Sequence, residues 1–108
     1  MHDMMKKIRE FNEERDWEQF HTPENLAKSI AIEAGELLEC FQWGPQYKPE
    51  ALKEELADVM MYCLMMADAI NADLIEIMEA KMQKNAEKYP VEKAKGNSCK
   101  YTELGEQV

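Results

Sequence analysis

Apolar residues recur every three or four positions along most of the chain, the period of an amphipathic helix. Met4, Ile8 and Phe11 mark the first such stretch, from about Asp3 to Arg15. The segment Asp16-Trp17-Glu18-Gln19-Phe20-His21 breaks the period. Thr22 before Pro23 then reads as a helix start, with the threonine as N-cap and proline at the first helical position. Leu26, Ile30, Leu37 and Phe41 form the stripe of this second helix, which is predicted to reach Gln42. Trp43-Gly44-Pro45-Gln46-Tyr47-Lys48 reads as a turn. Pro49 opens a third helix to about Ala69, striped by Leu52, Leu56, Val59, Cys63 and Met66. Asn71-Ala72-Asp73 ends it, and Asp73 with Glu76 forms a capping-box-like start for a fourth helix that stops near Tyr89-Pro90. The pattern predicts an all-α, four-helix bundle-like domain over residues 1–90 and a polar tail over 91–108.

Composition narrows the possible functions. The 108 residues are 45% apolar, enough for one core. Twenty-two acidic residues against thirteen basic ones give a net charge of −9. That balance disfavours a nucleic-acid polymer or an anionic membrane as partner, since both require basic surface. No apolar run has transmembrane length, and the first residues carry no signal-like apolar stretch, so a cytoplasmic protein is expected. Cys40, Cys63 and Cys99 are odd in number and form no CxxC pair, which points to reduced thiols rather than a disulfide framework or zinc site. Nine methionines are either soft core fillers or the lining of an interface between subunits.

Two acidic pairs stand out. Glu33-Ala34-Gly35-Glu36 lies on the second helix and Glu55-Leu56-Ala57-Asp58 on the third. Residues three apart share a helix face, so each pair points both carboxylates one way. At about 100° per residue these four acids fall on the margins of the apolar stripes, whereas Glu39 and Glu54 point away. If the two helices pack antiparallel, the margins meet. Four crowded carboxylates repel and lose hydration, and cations relieve both costs. Oxygen-only ligands suit Mg²⁺, or Mn²⁺ as a substitute, and magnesium commonly shares its shell with phosphates. The alternative for any such pair is plain solvated charge. A di-iron bundle would need Glu-x-x-His pairs, and neither His2 nor His21 follows a glutamate at that spacing.

A longer stretch carries a resemblance. Glu14-Arg15-Asp16-Trp17-Glu18-Gln19-Phe20-His21-Thr22-Pro23-Glu24-Asn25-Leu26 resembles the dCTP pyrophosphatase branch of the MazG-like, all-α nucleotide pyrophosphohydrolases. The likeness continues through Glu33-Ala34-Gly35-Glu36-Leu37, Phe41-Gln42-Trp43, Glu54-Glu55-Leu56-Ala57-Asp58-Val59 and Tyr62. Further matches are Lys81-Met82, Asn85, Lys88-Tyr89-Pro90 and Lys100-Tyr101-Thr102-Glu103-Leu104.

The resemblance implies hydrolysis of a nucleoside triphosphate between the α and β phosphorus, giving a monophosphate and pyrophosphate. It implies Glu33, Glu36, Glu55 and Asp58 as Mg²⁺ ligands, with Glu33 or Glu36 as the base that orients water. Trp17 and Trp43 would flank the nucleobase, with His21 and Tyr62 in the same pocket. Lys81 and Asn85 would help bind the nucleotide, in some members from a neighbouring subunit, and the assembly would be a homodimer or homotetramer. A pyrimidine deoxynucleotide such as dCTP is the expected substrate, in a nucleotide house-cleaning role. The alternatives are the same chemistry on dUTP or a modified purine nucleotide, and a helical oligomerisation or regulatory module without catalysis. The turn from Trp43 to Pro49 is shorter than in animal members of that branch, and Ile8 stands where they can place a polar base-contacting side chain.

Overall fold

A computed structural model of the chain describes residues 2–96. The helices are α1 (His2–Glu14), α2 (Pro23–Glu39), α3 (Pro49–Ala69), α4 (Leu74–Lys88) and α5 (Val91–Ala94), with a single 3₁₀ turn at Glu18–Phe20. No strand occurs among the described residues. The chain divides into two compact units at the Asp73–Leu74 junction.

The first unit holds α1, α2 and α3. His2 Nε2 lies 3.8 Å from the Asp73 carboxylate, and Arg9 pairs with Asp68. The start of α1 therefore meets the end of α3, and the two run antiparallel. Residues 40–48 return the chain from α2 to α3 as a second antiparallel pair. The buried apolar residues come from all three helices: Ile8 from α1, Leu26 from α2, Leu64 and Ala67 from α3. Thr22 caps α2 as expected, its Oγ1 accepting from the Asn25 N–H at 3.2 Å, with Pro23 next.

Helices α1 and α3 end the same way. The Asp16 N–H donates to the Glu13 carbonyl and the Trp17 N–H to the Asn12 carbonyl. After α3, the Asn71 N–H donates to Asp68 and the Ala72 N–H to Ala67. Each is a Schellman turn with a left-handed residue at its hinge, Asp16 at φ 54° and Asn71 at φ 55°. Short polar side chains tolerate this conformation better than other non-glycine residues. At the first turn the apolar contact that accompanies the motif is Trp17 against Phe11, edge to face at 5.7 Å.

Two expectations are corrected, the end of α2 and the burial of Leu56. Helix α2 stops at Glu39 rather than Gln42, because the N–H groups of Cys40, Phe41 and Gln42 each bond three residues back and tighten the exit. Leu56, expected on the inner stripe of α3, is 51% exposed. The segment after Tyr89 contains the short helix α5, opened by Pro90. The rest of the expected tail, 97–108 with Cys99, lies outside the described residues. In the second unit every residue of α4 from Ile75 to Lys88 is exposed, including Ile77, Met78 and Met82.

The left-handed hinge gives a test. Asp16→Gly keeps or raises the melting temperature, whereas Asp16→Val lowers stability by about 1–2 kcal/mol, read by thermal or urea unfolding.

Candidate active site

Along α2 and its exit, Leu26, Ile30, Glu33, Leu37 and Cys40 form one row of buried and half-buried positions, with Ser29 beside it. Along α3, Leu52, Glu55, Val59, Tyr62 and Met66 form another, with Asp58 and Cys63 among its half-buried neighbours. Both rows alternate steps of three and four, as in an interhelical seam. Glu33 and Glu55 thus stand inside the seams, not on the stripe margins expected from the sequence. The buried arc of α3 is turned by roughly 60° from the expected one. It turns away from Leu56 and takes in Glu55, as α1 covers α3 from a second side.

The two seams bring carboxylates together. One oxygen each from Glu33, Glu55 and Asp58 lies within 4.8 Å of the others. Glu33 Oε2 and Glu55 Oε2 are shielded from solvent and have no hydrogen-bond partner. Glu36, one turn beyond Glu33, is itself exposed but acts on both. Burial first, then the neighbouring Glu36 carboxyl, hold the Glu33 pKa above the usual carboxylate range. Burial, then the Glu36 and Asp58 charges, do the same for Glu55. Of the four acids expected to converge, Glu33, Glu55 and Asp58 cluster, and Glu36 acts on the two glutamates from the next turn.

Asp58 also lines a pocket of about 400 Å³ between α1 and α3. Its polar and aromatic lining includes Asn12, Trp17, His21 and Tyr62. Ile8, Phe11 and Met65 give it an apolar wall. Asp58, Tyr62 and Met65 follow one another at one-turn intervals along α3, so the pocket runs from the acidic cluster toward the C-terminal half of that helix. Trp17 is 44% exposed and held by its neighbours: Phe11 packs against it edge to face at 5.7 Å, and the Arg15 guanidinium sits 3.7 Å over the Phe11 ring and 6.0 Å from the indole. An indole held this way offers a flat face to an aromatic ligand.

Not every expected residue joins this pocket. Trp43 stands 90% exposed on the turn after α2 and is not part of its lining. Phe41 and Tyr47 brace that turn, ring to ring at 5.4 Å, and leave the indole outside. Lys81 and Asn85 are exposed on α4, in the second unit. Cys40 and Cys63 are free and half-buried. Asn12 went unremarked in the sequence, although a polar residue one turn after Ile8 interrupts the Met4–Ile8 row and so carries a visible signal.

Comparison with known proteins locates this geometry. The model of the MazG-like family matches residues 28–104, which include all four clustered acids. The chain belongs to the MazG-like family. Among relatives of this MazG-like chain, mouse and human dCTP pyrophosphatase 1 are each 43% identical over 96% of it, and 67% of their own length is covered. The crystal structure of a pyrophosphatase from Archaeoglobus fulgidus superposes with a TM-score of 0.79 at 40% identity, covering 83% of this chain and 92% of that one. No helix among the described residues is long and apolar enough to cross a membrane. The acidic cluster of this family member fits a divalent metal: its donors are hard oxygens, and two of them lack any other partner.

The raised carboxyls predict a pH dependence. A folded-state pKa above the unfolded one means that the native protein holds the proton more tightly, so stability present at low pH is lost as pH rises through the folded value. In chelator, thermal melts should show stability falling as pH rises above the ordinary glutamate range by more in the wild type than in Glu33→Gln, which has no proton to lose there.

Proposed function

We propose that this chain is a Mg²⁺-dependent nucleoside triphosphate pyrophosphohydrolase whose substrate is dCTP or a related pyrimidine deoxynucleotide, acting in nucleotide-pool cleansing. The observation that carries the reading is the meeting of partnerless carboxylate oxygens on Glu33 and Glu55 with Asp58, at one end of a pocket holding Trp17, His21 and Tyr62. Kinship with dCTP pyrophosphatases and with an archaeal pyrophosphatase supports it.

In this reading Glu33, Glu36, Glu55 and Asp58 hold Mg²⁺, with Mn²⁺ as a substitute. Bound there, the ion supplies positive charge against the polyphosphate and polarises its α-phosphoryl group. A water oxygen bonds to the α phosphorus, the bridge to the β phosphorus breaks, and pyrophosphate departs. Glu33 or Glu36 takes the proton of that water on a carboxylate oxygen. Asp58 belongs to both cluster and pocket, so the phosphates lie at the acidic end and the base lies toward Asn12 and Met65. The Trp17 face stacks on the base, with His21 and Tyr62 beside it and Trp43 on the flank. Lys81 and Asn85 add contacts to the nucleotide from α4, in an assembly of two or four copies. The exposed Ile77, Met78 and Met82 on that helix support such an assembly.

Three measurements test the reading. Incubated with Mg²⁺ and a panel of nucleoside triphosphates, the protein should release pyrophosphate and a monophosphate, most rapidly from dCTP; orthophosphate and a diphosphate as products would overturn it. Glu33→Gln should lower kcat by about a hundredfold or more while the helical circular dichroism spectrum is kept. Trp17→Ala should raise KM about tenfold, the worth of one base stacked on an aromatic ring.

A further inference from the structure

Asn12 is the one polar residue among the described residues that is buried outright, at 5% exposure. Its Oδ1 is sealed from solvent and has no hydrogen-bond partner. Its backbone explains why the chain reaches this point, since the Asn12 carbonyl accepts from the Arg15 and Trp17 N–H groups in the turn that ends α1. The side chain serves no such purpose. It lines the pocket described above, together with Trp17, His21, Tyr62 and Asp58. With His21 and Met65 it also lines a second, smaller pocket of about 240 Å³, which contains Glu18 and the Arg9–Asp68 pair.

A buried acceptor without a donor is a cost that folding alone does not explain. Stability would be better served by an apolar residue continuing the Met4–Ile8 row. The two pockets also orient the amide. On the smaller side stand Glu18 and Asp68, which as carboxylates only accept, and Arg9 Nε holds Asp68 at 3.1 and 3.2 Å. The donor end of the amide can be served on that side, while Oδ1 finds no partner on either. No bond restrains Oδ1, and rotation about Cβ–Cγ is soft for asparagine, so a small turn brings it to the pocket surface.

We propose that Asn12 is a specificity-determining residue: its Oδ1 accepts a hydrogen bond from the exocyclic amine of the base and so selects 4-amino over 4-oxo pyrimidines. This rests on the reading of the pocket as the base site. The stacked base meets Trp17 with its face and Asn12 with its edge, the pairing of contacts by which protein pockets read an isolated base. A 4-oxo base brings an acceptor against an acceptor at that point. A base with hydrogen at position 4 offers Oδ1 no donor and, once stacked, keeps water from it.

The test removes the interaction from either side. kcat/KM is measured for dCTP, for dUTP, and for the deoxynucleoside triphosphate of 2-pyrimidinone, which lacks only the 4-amino group. The wild type should favour dCTP over the pyrimidinone analogue by roughly ten- to a hundredfold, chiefly through KM, and over dUTP by at least as much. In Asn12→Leu, and in the smaller Asn12→Ala, the ratio of dCTP to the pyrimidinone analogue should fall to within about twofold of unity. The analogue comparison in the wild type does not depend on how either variant folds. Wild-type turnover with equal kcat/KM for dCTP and the analogue overturns the assignment of Asn12, as does a ratio that survives in the variants. Absence of pyrophosphate release from every triphosphate would instead overturn the functional reading beneath it.

Discussion

Glu33 and Glu55 face each other from the seams of two antiparallel helices, and each has an oxygen shielded from solvent and without a hydrogen-bond partner. Packing and electrostatics pull against one another at this spot. The seam needs side chains inside to hold α2 on α3, and at these two positions the side chains are acids that repel one another and Asp58. Burial raises the pKa of both glutamates, which is the protein's own partial answer to the conflict. A divalent cation answers it more fully, and a ligand carrying phosphates completes the shell of that cation. Fold, charge and proposed chemistry therefore converge on one place. The small core, with few residues wholly buried, lies beside it rather than around it.

The reach of sequence reasoning varied with the range of the interaction involved. Local signals were legible. Thr22-Pro23 announced the start of α2, Pro49 that of α3, and the spacing of Glu33 to Glu36 and of Glu55 to Asp58 announced a shared face. The phase of burial was not legible. Leu56 looked internal and Glu55 marginal, because a leucine normally outcompetes a glutamate for the inside. Only the presence of α1 on a second side of α3 turns the buried arc onto Glu55, and that is a tertiary fact. The exit of α2 was misjudged by three residues because its last turn tightens through bonds to carbonyls three back, which no side chain advertises.

Asn12 and Trp43 show two ways in which residue type and environment part. Asn12 interrupts an apolar row and is buried where its polarity has no protein partner, a conflict between pattern and environment of the kind that marks functional positions. Trp43 carried the stronger chemical signal, as a large aromatic in a turn next to breakers, yet it projects outward while Phe41 and Tyr47 close the turn behind it. A residue type alone indicates what a position can do. Its orientation depends on which neighbouring rings claim the inside.

The pocket has a further property that follows from its wall. Asp58, Tyr62 and Met65 succeed one another on a single continuous helix, with a rise of about 5 Å per turn. The separation between the acidic end and the far end is therefore set by backbone hydrogen bonds rather than by loops. Helix α3 works as a rigid gauge of ligand length. Diversification of such a scaffold would be channelled into the opposite wall, where α1 can exchange one side chain for another without moving the phosphate end at all.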